Sequence, residues 1–271
     1  MLDLAMTLAD LPIILGIGLL AGMLGGMLGV GGSVIMIPAL TILLGPDQHL
    51  YQAAAMIANV AVAIPATIRH RQAGAIHGRT LRWMLPTAVV FILVGVWLSN
   101  IAAFQGSSGE LGLRRVFAAF LVYVIVLNVF RLRSDHHDEH MTAEHVTGPR
   151  AAGVGAIMGT VAGLLGIGGG AIAVPLQQVV LRLPLKRCIA NSSAVICISA
   201  GIGAIYKNAS LPAEGAWVVS LQLAASLAPA AWIGGRLGAS LTHRLPVRQV
   251  RIGFIALMIL AAYKMAQLPW P

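Results

Sequence analysis

The chain has 271 residues, 58% of them hydrophobic and only 10% charged, with a mean hydropathy of +0.86 and a formal net charge of +9. Ordinary soluble domains carry about a quarter charged residues, so this composition excludes them. The charge does not point to nucleic acid either, because Lys and Arg sit at the ends of apolar segments and not along one polar face.

What remains is an all-α polytopic membrane protein. Apolar segments occupy residues 11–44, 51–68, 83–104, 116–130, 151–181, 188–206, 216–241 and 252–268. Most reach the length of about 20 residues that crosses a hydrocarbon core. No Lys or Arg precedes Arg69, and Asp3 and Asp10 stand where a signal peptide would carry positive charge, so the first segment is expected to be retained. Within it, "MLGGMLGVGGSVIMIP" (residues 23–38) interrupts the apolar run with Gly29, Gly31, Gly32 and Pro38. Between the fourth and fifth segments lies the polar stretch "RSDHHDEHMTAEHVTGPR" (residues 133–150). Later in the chain, Cys188 and Cys197 fall in one predicted helix, nine residues apart, which argues against a disulfide between them.

The fifth segment repeats the first. "GMLGGMLGVGGSVIMIP" at 22–38 aligns without gaps to "GTVAGLLGIGGGAIAVP" at 159–175, a shift of 137, and 8 of the 17 positions are identical. A shift of 136 then pairs "HRQAG" at 70–74 with "YKNAS" at 206–210. The domain reading is a first membrane repeat at 1–132, a cytoplasmic His- and acid-rich linker at 133–150, and a second membrane repeat at 151–271.

Charge placement decides how the segments run. If all eight cross, the 18 Lys and Arg residues divide equally between the two sides. If each glycine-broken segment enters and leaves on one face, 14 fall on one side and 4 on the other. The second division obeys the positive-inside rule. It predicts six full spans plus two broken hairpins in inverted repeats, in the cell inner membrane, with both termini outside.

Irregular backbone at membrane depth is tolerated only where protein buries it or it lines a cavity. Half-helices starting near Gly32 and Gly169 would point amides and positive dipole ends inward, which suits an anion. Close helix packing is the competing reading, and it accounts for the spacing of four at Gly22 and Gly26 and at Gly155, Gly159 and Gly163. A nucleotide loop is excluded, because no strand and no Walker lysine accompany "GVGGS".

"GGMLGVGGSVIMIP" (25–38), "AGLLGIGGGAIAVP" (162–175) and "IANSSA" (189–194) resemble the sulfite exporter TauE/SafE family of membrane transporters, and the resemblance covers nearly the whole chain. It implies movement of sulfite, organosulfonates such as sulfoacetate or sulfolactate, or related sulfur-containing anions. The first-half counterpart of the polar patch, "QAAAMIAN", is apolar until Asn59, so the halves are expected to contact a ligand unequally.

The candidate substrate site comprises Gly31, Gly32, Ser33, Asn59, Gly168, Gly169, Gly170, Asn191, Ser192 and Ser193. Arg71 and Lys207, repeat equivalents at helix ends, are candidate entrance cations or interfacial anchors. Gly32→Leu or Gly169→Leu is expected to stop transport while sparing insertion. The expected mechanism is alternating access without a cofactor. The expected partners are a small sulfur-containing anion and the lipid bilayer, not nucleic acid, with a homodimer as a possible assembly.

Every acidic residue falls in a predicted loop or terminus, which favours a facilitator or anion-gradient carrier over a carboxylate-driven antiporter. No nucleotide-binding motif and no acid, base and nucleophile set is visible, so neither an ATP-driven pump nor an enzyme is expected. A second functional reading rests on the linker, where His136 and His140, one helical turn apart, would hold Ni²⁺ or Zn²⁺ in a metal transporter or metal-regulated protein.

Overall fold

Glycine at every fourth position determines how the two halves join. A computed structural model describes residues 11–133, 146–211, 214–242 and 244, together with seven helical residues between 252 and 263. Its helices are α1 (Leu11–Leu28), α2 (Ser33–Leu44), α3 (Gln48–Gln72), α4 (Gly78–Ser99), α5 (Gly106–Arg133), α6 (Gly148–Leu165), α7 (Gly170–Val180), α8 (Leu185–Ala209) and α9 (Ala216–Thr242), with one 3-10 turn at Ala102–Phe104. No strand occurs among the described residues. The linker histidines His136 and His140 lie outside them, as does most of the last predicted segment.

Gly18, Gly22 and Gly26 of α1 lie against the carbonyl oxygens of Leu227, Ala231 and Gly235 of α9. Their repeat equivalents Gly155, Gly159 and Gly163 of α6 lie in the same way against Met84, Ala88 and Ile92 of α4. Each side reciprocates: Gly238 of α9 meets the Met23 carbonyl, and Gly95 of α4 meets that of Thr160. A Cβ at Gly18 would stand 2.6 Å from Leu227 O, so only glycine permits this approach. Both seams join one half of the chain to the other.

Residue numbers rise together along both seams, so α1 runs parallel to α9 and α6 runs parallel to α4. The last polar turn of α8, at Lys207, meets the first turn of α3, at His49, so these two helices are antiparallel. They form the centre, with 67% and 72% of their apolar windows buried against 28–44% for the other long helices. Large apolar side chains such as Val90, Trp97, Val122, Phe130 and Ile233 point outward, as a lipid-facing surface requires.

Among the described residues, six helices are long and apolar enough to cross a membrane: α1, α3, α4, residues Ser108–Phe130 of α5, α8 and α9. The sequence reading counts residues 252–268, most of which lie outside the described residues, among its six spans and takes α1 as half of a hairpin. α1 has the length of a span, yet it stops at Leu28 and α2 turns back toward the start of α3. The short helices α2 and α7 carry Pro38 and Pro175 at their sixth positions.

Gly159→Val should cost at least about 1–3 kcal/mol through forced separation of α4 and α6, seen as a lower melting temperature and a shifted size-exclusion profile in detergent. Gly153→Ala, where nothing lies within 4 Å of the new methyl, should be neutral or gain up to about 1 kcal/mol as a helix-interior exchange.

Candidate functional site

The two glycine breaks meet at the middle of α3. Gly29 (φ 64°) and Gly31 (φ 85°) unwind the chain between α1 and α2, as Gly166 (φ 71°) and Gly168 (φ 70°) do between α6 and α7. Any L side chain is strained at these four angles, which accounts for four of the glycines duplicated between the halves. Gly170 packs on the backbone of Gly29 and Val30, so the loops touch. α1 brings its loop from the end where α3 begins, and α6 brings the other from the end where α3 finishes.

Asn59 lies between them. Its Oδ1 accepts a hydrogen bond from the Ser33 amide at 3.0 Å, and its Nδ2 donates to Ser33 Oγ at 2.8 Å. The asparagine therefore caps α2 from another helix, replacing the side-chain cap that Gly32 lacks. A Cβ at Gly31 would meet Asn59 Oδ1 at 3.2 Å, and one at Gly168 would meet Asn59 Nδ2 at 3.0 Å. At Gly168 the other neighbour is the Ile196 side chain, at 3.3 Å. Ile196 is the residue that the 137-residue shift pairs with Asn59, so a single amide serves both loops.

On α8, Ile189 backs Gly29 and Ile196 backs Gly168. Ser192 and Ser193, spaced three or four residues from both, lie on the same helix face between the loops. On α3, Gln52 backs Gly166 in the way that Ile189 backs Gly29. Ser192 Oγ and Gln52 Oε1 are buried without a hydrogen-bond partner. An unpaired buried polar atom costs about 1–3 kcal/mol, and the two atoms lie more than ten residues apart along the α3–α8 pair, Gln52 near the Lys207 end and Ser192 beside Ile189. Gln52 opens an otherwise apolar run and does not stand out in the sequence; the repeat register, which sets it opposite Ile189, is the signal that identifies it.

The remaining candidates separate. Asn191 is fully buried but faces elsewhere: its Oδ1 accepts from the His77 amide at 2.8 Å and its Nδ2 donates to Gln177 Oε1 at 3.2 Å. It ties α8 to α7 and to the start of α4. His77 there is held below its ordinary pKa by burial first and by Arg187 and Arg79 next. A Cβ at Gly169 (φ 76°) would stand 2.6 Å from Met158 Cγ and O, and one at Gly32 would stand 2.9 Å from Met36 Cε. Leucine at Gly169 therefore tests folding and not transport.

Arg71 is exposed at the end of α3. Lys207, its repeat equivalent, is not at a surface entrance. It is fully buried, with Nζ 2.9 Å from Ser99 Oγ, 2.9 Å from Asn100 Oδ1 and 2.8 Å from His49 Nδ1. Among the described residues no group of three metal-ligating side chains occurs.

Both loops, Ser33, Asn59 and Ser192 are shut off from solvent. Nearer one end, a polar hollow of about 470 Å³ lined by Arg69, Gln72, Arg236 and Ser240 opens where α3 and α9 finish.

Residues 14–265 match the family model described as sulfite exporter TauE/SafE. Among curated proteins, the chain is 30% identical to the probable membrane transporter protein MamO of Magnetospirillum gryphiswaldense over 93% of this chain and 44% of that protein. It is 27% identical to MamO of Paramagnetospirillum magneticum, over 96% and 45%. The chain thus spans less than half the length of these two relatives. With a probable membrane transporter protein of Haemophilus influenzae it shares 26% identity over 92% of this chain and 95% of that one. No solved structure matches it. A family match over nearly the whole chain, six long apolar helices among the described residues and a duplicated glycine break agree: this chain belongs to the sulfite exporter TauE/SafE family of membrane transporters.

Proposed function

We propose that this chain is a secondary transporter or facilitator for sulfite, an organosulfonate or a related sulfur-containing anion, working by alternating access between inverted repeats. The observation that carries this reading is the convergence of two helix N-termini, α2 and α7, on Asn59. Helix N-termini offer amides and positive dipole ends to an anion. Asn59 Nδ2, Ser33 Oγ, Ser192 Oγ and the amides of Gly168 to Gly170 supply neutral donors around that point, with Ser193 beside them. Neutral donors hold an anion without a fixed counter-charge, which suits binding followed by release.

Access from either side then requires one hairpin to move against the α3–α8 centre. The α1–α2 hairpin would uncover the site toward the start of α3, and the α6–α7 hairpin toward its end. Arg69, Arg71 and Arg236 lie toward that second end, where they would raise the local concentration of anions. By the positive-inside count this end is cytoplasmic, in a cell inner membrane, with both chain termini outside.

Alkaline phosphatase fused after Pro271 should therefore be active in a bacterial host, and a green fluorescent protein fusion at the same place should be dark; the reverse pattern would overturn the orientation. Proteoliposomes should show saturable tracer uptake of one or more of sulfite, thiosulfate, sulfoacetate and taurine, in preference to sulfate and chloride. Asn59→Ala should raise the KM for that anion about tenfold, the equivalent of about 1.4 kcal/mol. Asn191→Ala should lower the melting temperature and leave KM nearly unchanged. Uptake of Ni²⁺ alone, lost with His136→Ala and His140→Ala, would replace the anion reading with a metal one.

A further inference from the structure

Lys207 places an ammonium group inside a membrane-embedded bundle with no carboxylate among its partners. All three of its hydrogens meet neutral acceptors: Ser99 Oγ, Asn100 Oδ1 and His49 Nδ1. The other ring nitrogen, His49 Nε2, is 2.9 Å from the carbonyl oxygen of Phe104. A carbonyl can only accept, so Nε2 carries the ring hydrogen and Nδ1 offers its lone pair to the ammonium. Lys207 Nζ and His49 Nδ1, 2.8 Å apart, are thus two titratable nitrogens joined through one proton.

Position suits exchange with one side of the membrane. Lys207 is 0% exposed and His49 7%. The ring stands between the ammonium and the turn Ala102–Phe104, whose first two residues are exposed. The titratable and charged groups around the pair are Asp47, which caps α3, Tyr51 of α3, and Glu110 and Arg114 of α5. Burial is the largest influence on the Asp47 carboxyl and raises its pKa; its bond from the Leu50 amide opposes this, Glu110 raises it further and Lys207 lowers it. The repeat equivalent Arg71 is an arginine and is exposed. The pair is therefore a property of one half only. A tie between helix ends needs no charge, so a fully buried ionisable nitrogen among neutral partners at the end of α8 calls for another use.

We propose that Lys207 and His49 form one proton-binding site through which the protein carries a proton together with its anion. This rests on the transport reading above. His49 lies ten residues along α3 from Asn59, about 15 Å. An anion at Asn59 favours the charged pair, and the charged pair favours the anion to the same degree. On release, an ammonium proton of Lys207 passes to His49 Nδ1 while the Nε2 proton leaves to water. One proton has left the protein, and a neutral amine faces the other ring tautomer.

Two measurements test the site. The first follows ¹⁵N-histidine ring signals of the full chain in micelles as pH is varied. Lys207→Met should move the His49 midpoint by about one pH unit or more; an unmoved midpoint overturns the shared site, whether or not anything is transported. The second uses thiosulfate and sulfoacetate uptake in proteoliposomes at zero membrane potential. At one proton per anion, a gradient of about one pH unit should drive about tenfold accumulation on the alkaline side. In Lys207→Arg, which keeps the charge and cannot release it, the ratio of accumulation with and without the gradient should fall to one. Wild-type uptake that ignores the gradient, or a Lys207→Arg variant that still follows it, overturns the coupling. Absence of uptake for every anion, with the His49 midpoint still shifted by Lys207→Met, overturns the coupling and the transport reading together and leaves the shared proton.

Discussion

Backbone-to-backbone contact between helices is the constraint on which this structure depends. Where lipid replaces water, apolar side chains gain little by leaving the solvent, so close packing and satisfied polar groups must hold helices together. Here the contact runs along two glycine rows, α1 on α9 and α6 on α4, with each glycine opposite a carbonyl of the partner helix. Such seams admit no sliding by a fraction of a turn. They fix the depth of both hairpins, and hence the height at which the two loops meet beside Asn59.

The sequence carries the duplicated break and the spacing of four openly, because both are local patterns. Gly18, Gly22 and Gly26 are readable as a packing stripe, but nothing nearby in the chain says that their partner is α9 and not a helix of their own half. Asn59 stands out as an amide in an apolar run. Its role as a cap for α2 is not readable, because the amide it caps belongs to Ser33, 26 residues earlier. In the sequence Asn191 is equivalent to the serines that follow it, yet one residue is about 100° of helix rotation, enough to turn it from the loops toward Gln177. Lys207 reads as an interfacial cation because it ends a helix. Its burial comes from His49, Ser99 and Asn100, contributed by two other helices and the loop after α4.

Duplication preserved the backbone and changed what it presents at the centre. Asn59 on α3 corresponds to Ile196 on α8, and the Ser192 and Ser193 pair to Ala55 and Met56. Polar positions of one half thus correspond to apolar positions of the other, so the two halves present unlike side chains at the centre. The same divergence separates exposed Arg71 from buried Lys207.

The exchange of partners between halves also imposes an order on biogenesis. The glycine row of α1 emerges from the ribosome before α3 to α8, and the helix that covers it, α9, is made only after them. At about 5–20 residues per second, that interval is on the order of ten seconds or more. Throughout it the first hairpin holds an uncovered stripe of backbone carbonyls and glycines in the bilayer. The second hairpin has no such delay, since α4 is already in place when α6 arrives. The nascent chain therefore closes its later seam first, and α1, made before α3 to α8, is secured only when α9 arrives.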